Sequence, residues 1–152
     1  MTELLREMLE HPLFKDLNIG NIEKLANCAS EKDFGAGSVI FEEGGEADRL
    51  YLIRSGKVAI DLPLPNRTPL TIYTIEGGGV VGWSWLFPPY KWHFQARATE
   101  PTQTILIDSK CIMDLCKKDH SFGYEMMQRV SHLILERLEG TTQQLVNSFD
   151  VP

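Results

Sequence analysis

From Gly35 to Leu62 the chain reads GAGSVIFEEGGEADRLYLIRSGKVAIDL. Its apolar residues come in short pieces, Val39-Ile40-Phe41, Leu50 to Ile53 and Val58 to Leu62, each cut off by glycine or charge. An amphipathic helix needs an apolar stripe sustained over about ten residues, and these interruptions forbid it. Short runs separated by turns are instead the spacing of an antiparallel sandwich or barrel. The pattern continues downstream. Pro63, Pro65, Asn66 and Pro69 mark an exposed hairpin loop, and Leu70 to Ile75 returns as a strand. Val80-Val81 reads as a short buried strand, Trp92 to Ala98 alternates, and Thr104 to Ile107 is one more strand.

Helical periodicity flanks this region. Thr2 can cap a short first helix with Leu4, Leu5, Met8 and Leu9 on one face and Pro12 beyond its end. Leu13, Phe14, Leu17 and Ile19 form an apolar link. Asn21 then starts a second helix carrying Ile22, Leu25, Ala26 and Ala29. Asp108 or Ser109 caps a helix through about Lys118, and His120 to Phe149 reads as a long one. Met127, Val130, Ile134, Leu138, Thr141, Leu145 and Phe149 form its apolar stripe, widened by Leu133 and Val146. At 1.5 Å per residue it runs to roughly 40 Å, longer than a domain of this size can cover. The stripe therefore calls for a second copy of the same helix, unless the helix folds across the sheet or bends at Gly140. The expected fold is α+β, mainly β: a double-stranded β-helix or jelly-roll barrel with N-terminal helices and a long C-terminal helix. It forms one domain over 1–152, with helices in 1–33, the β-roll in 34–108 and C-terminal helices in 109–149.

A chain of 152 residues buries a core without disulfides or metals. Its net charge of −6 argues against a nucleic-acid-binding surface, so no direct DNA binding is expected. No apolar run reaches the ~20 residues of a membrane helix, and MTELLREMLEHP lacks the pattern of a signal peptide. Cys28, Cys111 and Cys116 are odd in number and lie in helical stretches, which suits reduced core thiols and a cytoplasmic location.

Function concentrates in Ile75–Ala98, IEGGGVVGWSWLFPPYKWHFQARA, which holds all three tryptophans, Trp83, Trp85 and Trp92. Gly82 followed by one helical turn gathers unpaired N–H groups around a point that suits an anion, though it also suits a plain corner of a β-fold.

The order of helices and strands resembles the cyclic-nucleotide-binding domain, the sensor half of catabolite-activator-type regulators. The likeness spans roughly residues 13–149 and rests on motifs as well as order. Gly37-Ser38-Val39-Ile40-Phe41, Glu43-Gly44-Gly45, Asp48 through Ile53, Gly56 and Val58 follow the family's G-x-x-I-F, Gly-rich turn and D-x-x-Y-x-I-x-x-G-x-V. Ile75, Gly78, Val81 and Gly82 resemble its L-x-x-G-x-x-F-G-E. The pattern then breaks. Trp83 stands where the family carries a ribose-binding glutamate, and the family's phosphate-binding arginine, small hydroxyl residue and alanine fall on about Trp92, His93 and Phe94, with Lys91 the nearest cation if the register shifts by one. Two lost charge-assisted contacts at ~1.5–3 kcal/mol each amount to on the order of a hundredfold or more in affinity. The resemblance therefore implies a regulatory ligand-sensing domain with altered or weak binding of a cyclic nucleotide or other small anionic ligand. The expected ligand-binding residues are Gly82, Trp83, Ser84, Trp85, Lys91, Trp92, His93, Arg97, Thr141 and Thr142. The last two resemble a base-contacting Thr-Ser pair on the family's long helix. The chain stops at Phe149-Asp150-Val151-Pro152, about where the hinge to a helix-turn-helix domain would begin, so the expectation is a sensor without that output.

Rival readings stay open. The tryptophans can fill the former pocket and leave a ligand-free protein-interaction module. Arg97 can bind a ligand or pair with Glu100 or Asp108. A cupin-like metal enzyme would need converging histidines, and His11, His120 and His132 lie on helices away from the strands. No catalytic or metal-binding set is expected. The expected assembly is a homodimer through the long helix, with a protein partner as a further option and no membrane.

Overall fold

The computed structural model describes residues 2–149, and within them eight strands pair antiparallel into two four-stranded sheets. The strands are β1 (Ala29–Phe34), β2 (Val39–Phe41), β3 (Arg49–Ser55), β4 (Lys57–Leu62), β5 (Leu70–Glu76), β6 (Val80–Val81), β7 (Gln95–Ala98) and β8 (Thr102–Asp108). One sheet runs β1-β8-β3-β6 and the other β2-β7-β4-β5. Apart from the β4–β5 hairpin, consecutive strands are thus split between sheets, the wrapping of a jelly roll. Helix α1 (Glu3–Glu10) packs on α2 (Ile19–Ala26), α2 on α3 (Ser109–Lys118), and α3 on α4 (His120–Phe149), which also touches β5. The hinge expected from Asp150 to Pro152 lies outside the described residues.

The core follows from the strand pattern. Leu50, Leu52, Ile105 and Ile107 share one face of their sheet and Ile53 the other; these and Val58 are fully buried, and Met8, Phe14, Ile22, Leu25, Ile112 and Met126 extend the same core into the helices. Thr2 accepts from the Leu5 N–H at 3.1 Å and caps α1. Asn18 caps α2 through the Asn21 N–H at 3.1 Å, so this helix opens earlier than Asn21. The Asp119 carboxylate accepts from the Phe122 N–H at 3.1 Å and from the Asn21 side chain at 3.2 Å, tying the start of α4 to α2. The Phe122 N–H is the main reason its carboxyl is held below the ordinary aspartate range.

Two sequence expectations change. The sheet begins at Ala29 rather than 34, because ASEKDF, with little apolar content, is recruited by pairing Ala29–Phe34 against Ile107–Thr102 of β8. That same pairing brings the residues flanking its end together. Cys28, in the link between α2 and β1, forms a disulfide with Cys111 of α3, with Cα atoms 6.4 Å apart, and Cys116 is a free thiol. The expectation of three reduced thiols is corrected on this point. The ladder supplies the reason: Ala29 sits opposite Ile107, and the Asp108 N–H donates to the Cys28 carbonyl at 3.3 Å.

Along α4 the apolar residues divide by height. Phe122, Met126 and Val130 are buried, and Leu133 packs on the core. From Leu138 to Phe149 every residue is exposed, with Leu138 at 62% and Phe149 at 77%. α4 is a single helix through Gly140. No described helix is long and apolar enough to cross a membrane.

Candidate functional site

The corner after β6 is built around one glycine. Gly82 has φ +93°, and a Cβ there would lie 2.9 Å from Trp92 Cη2 and 3.0 Å from the Arg49 carbonyl. Without a side chain the backbone can turn beneath the Trp92 indole and enter a short 3-10 turn, Ser84–Leu86. Trp92 is 5% exposed and stacks on Phe41 with ring centroids 3.9 Å apart. Its backbone is gripped by the glycine turn before β3, as Gly44 N–H donates to its carbonyl and its own N–H donates to Gly45. Trp85 is also buried, and its indole N–H donates to the Gly82 carbonyl at 2.7 Å. Trp83 remains half-buried.

Beside this corner, between it and α4, lies a cavity of ≈100 Å³. Phe41, Tyr73, Trp83 and Trp92 supply its aromatic lining, and Gly82, Ser84, His93 and Arg137 its polar and backbone surface. The Arg137 guanidinium lies 5.0 Å from the Tyr73 ring centre and 5.1 Å from that of Trp83, and it donates to the Val80 carbonyl at 3.0 Å. Cation–π contact and hydrogen bond together fasten α4 to the corner.

The expected site residues separate into two groups. Gly82, Trp83, Ser84, Trp92 and His93 come together around this cavity, and Trp85 props the turn from behind. His93 and Ser84 share a 3.2 Å hydrogen bond. Lys91 instead pairs with Glu46 on the surface, and Arg97 with Asp61 at 3.0 Å. Asp61, 2% exposed, sits beside Arg97 because β4 pairs with β7, so it takes the place of the expected Glu100 or Asp108. Thr141 and Thr142 are exposed on α4 and do not line the cavity.

Sequence reasoning missed Arg137, Tyr73 and Phe41. Arg137 is one helical turn before Thr141, so the signal was present in the same stretch with its register a turn too late. Among the described residues no group of three His, Cys, Asp or Glu side chains is placed to hold a metal ion.

The family model described as cyclic nucleotide-binding domain matches residues 31–119, more than half of the chain. Solved structures extend the likeness to the helices. A candidate cyclic nucleotide-binding protein from Geobacter metallireducens is 28% identical with a TM-score of 0.78, covering 91% of this chain and 99% of that one. A cyclic nucleotide-binding domain from Methylobacillus flagellatus superposes at 0.79 with 19% identity, covering 99% and 84%. The sensor domain of the transcriptional regulator DNR from Pseudomonas aeruginosa does so at 0.74 with 17% identity, covering 91% and 95%. No curated protein matches the chain. The roll, the glycine corner and the helix fastened across it are therefore those of a cyclic nucleotide-binding domain, and the chain belongs to that family.

Proposed function

We propose that this chain is a regulatory domain whose nucleotide place is rebuilt around its own aromatic residues, so that cyclic AMP binds weakly and the signal leaves through α4. One observation carries the reading: the cavity at the Gly82 corner holds ≈100 Å³, against the roughly 300 Å³ at which small-molecule sites begin. The polar groups that could compensate are engaged. Arg97 is held by Asp61 and Lys91 by Glu46, while the guanidinium that does reach the cavity belongs to α4. Contacts of Arg137 with Trp83, Tyr73 and Val80 give α4 a different environment when that corner moves. The exposed end of α4 pairs with a second copy in this proposal.

The test is a thermal-shift and calorimetric titration with cyclic AMP, cyclic GMP and cyclic dinucleotides. A ligand at about a hundred times its dissociation constant adds about 2.7 kcal/mol, which is several degrees. Cyclic AMP is expected to give no such shift at micromolar concentrations, and a shift of several degrees there would overturn the reading.

A second reading, an altered and smaller ligand, is favoured by the Ser84–His93 pair and Arg137 at the cavity wall. Arg137→Met would abolish binding of such a ligand, whereas Arg97→Ala would act on stability.

A further inference from the structure

Arg137 also lines a second, larger recess. This one holds ≈480 Å³ between the turn at Pro12-Leu13, the Gly78–Val80 corner and one flank of α4. Its floor is apolar, made by buried Leu13 and Val80 and by Leu133. Its rim carries charge from α4. Arg129 donates through Nη1 to the carbonyls of Leu13 and Lys15, both at 2.8 Å. The other edge of that guanidinium, Nε and Nη2, has no hydrogen-bond partner among the described residues. Arg137, by contrast, is committed through Nη2 to Val80 and through its plane to Trp83 and Tyr73. The one carboxylate on the rim, Glu136, is bridged by His132 at 2.9 Å. Two guanidiniums against one carboxylate make the recess locally positive on a chain whose net charge is −6.

We propose that this recess binds a small amphipathic carboxylate, with its apolar chain or ring over Leu13, Leu133 and Val80 and its oxyanion on Arg129. The Nε and Nη2 hydrogens form a planar fork that matches a carboxylate in two parallel bonds. Arg129 and Arg137 are eight residues apart on one helix, about 12 Å, which sets the length available to the apolar body. The volume falls in the range of small-molecule sites. Pairing of α4 with a second copy would leave the recess open, because Leu138 lies about 180° around the helix from Arg129 at 100° per residue.

The experiment is calorimetric titration and thermal shift of the full chain with decanoate and 2-naphthoate as probes, beside uncharged decanol. Either carboxylate is expected to bind with a thermal shift, and decanol about tenfold or more weakly. Arg129→Lys keeps the charge but loses the fork, and should weaken binding about tenfold. His132→Trp, at an exposed position on the rim, should fill the recess and abolish binding with the fold intact. Leu145→Glu, far along α4, should leave binding unchanged. The proposal is overturned if neither carboxylate binds, if decanol binds as tightly, or if folded His132→Trp binds like the parent.

Discussion

Gly82 and His11 each show how one residue holds the corners around β6 in shape. At Gly82 the left-handed backbone alone disfavours a side chain by about 1–2 kcal/mol, and an added methyl would also displace Trp92. Gly82→Ala should therefore lower unfolding free energy by about 2–4 kcal/mol in urea, with a red shift of tryptophan emission as the Trp92 ring is moved. His11 is buried, with Nδ1 accepting from the Leu13 N–H at 3.1 Å and Nε2 donating to the Gly79 carbonyl at 3.2 Å. This arrangement needs the neutral ring. Burial lowers its pKa from the usual 6.5, so the unfolded chain takes up a proton before the folded one does. Stability from this residue is complete above pH 6.5 and is lost as pH falls from there through the lowered folded value. His11→Gln should flatten the fall in melting temperature on acidification below that point, measured against the parent; an unchanged slope would refute the assignment. The Gly79 partner of His11 was not legible, because it lies 68 residues away. The glycine at 82 was legible as a corner. What the sequence could not give was the direction of Arg137, since a helix residue's reach depends on where the helix crosses the roll.

At the scale of elements, α4 presents two apolar surfaces that run into each other in sequence. Helical periodicity alone joined Met127, Val130 and Ile134 to Leu138, Leu145 and Phe149 as one stripe. In the fold Val130 is buried and Met127 packs on the core, while Leu135, Leu138, Leu145 and Phe149 are exposed, spaced with Thr142 by threes and fours. That alternation is a 3.5-residue repeat, the period of a coiled-coil seam. We predict a dimer by light scattering at micromolar protein, and a monomer for Leu138→Glu combined with Leu145→Glu. Both residues are exposed, so the double variant should keep its folded circular-dichroism spectrum and lose only the partner. A monomeric parent would refute the pairing. β1 is the opposite case. ASEKDF has no strand signal of its own, and its conformation comes from hydrogen bonding to β8. Long, periodic elements were readable locally, whereas this edge strand exists because of a neighbour far along the chain.

For the whole molecule, the Cys28–Cys111 link matters most, because it closes 83 residues, including the entire β-roll, between α2 and α3. A loop of that length restricts the unfolded chain by about 4–5 kcal/mol in the chain-entropy account, against about 2–4 typically measured for disulfides. Ala29 opposite Ile107 already holds the two ends of the roll together without it. The fold should thus survive reduction, with stability lower by about 2–4 kcal/mol. Thiol titration of the denatured protein checks the premise directly: one thiol, Cys116, is expected before reduction and three after. Cys28→Ser should reproduce the melting temperature of the reduced parent. If Cys28→Ser melts with the untreated parent, the ladder between β1 and β8 supplies the restraint alone. The bond also removes the argument that joined these cysteines to a reducing compartment. What the domain needs from its surroundings is then an oxidant for one pair of thiols, and titrating that pair in freshly lysed cells with a rapid alkylating agent measures whether it is met.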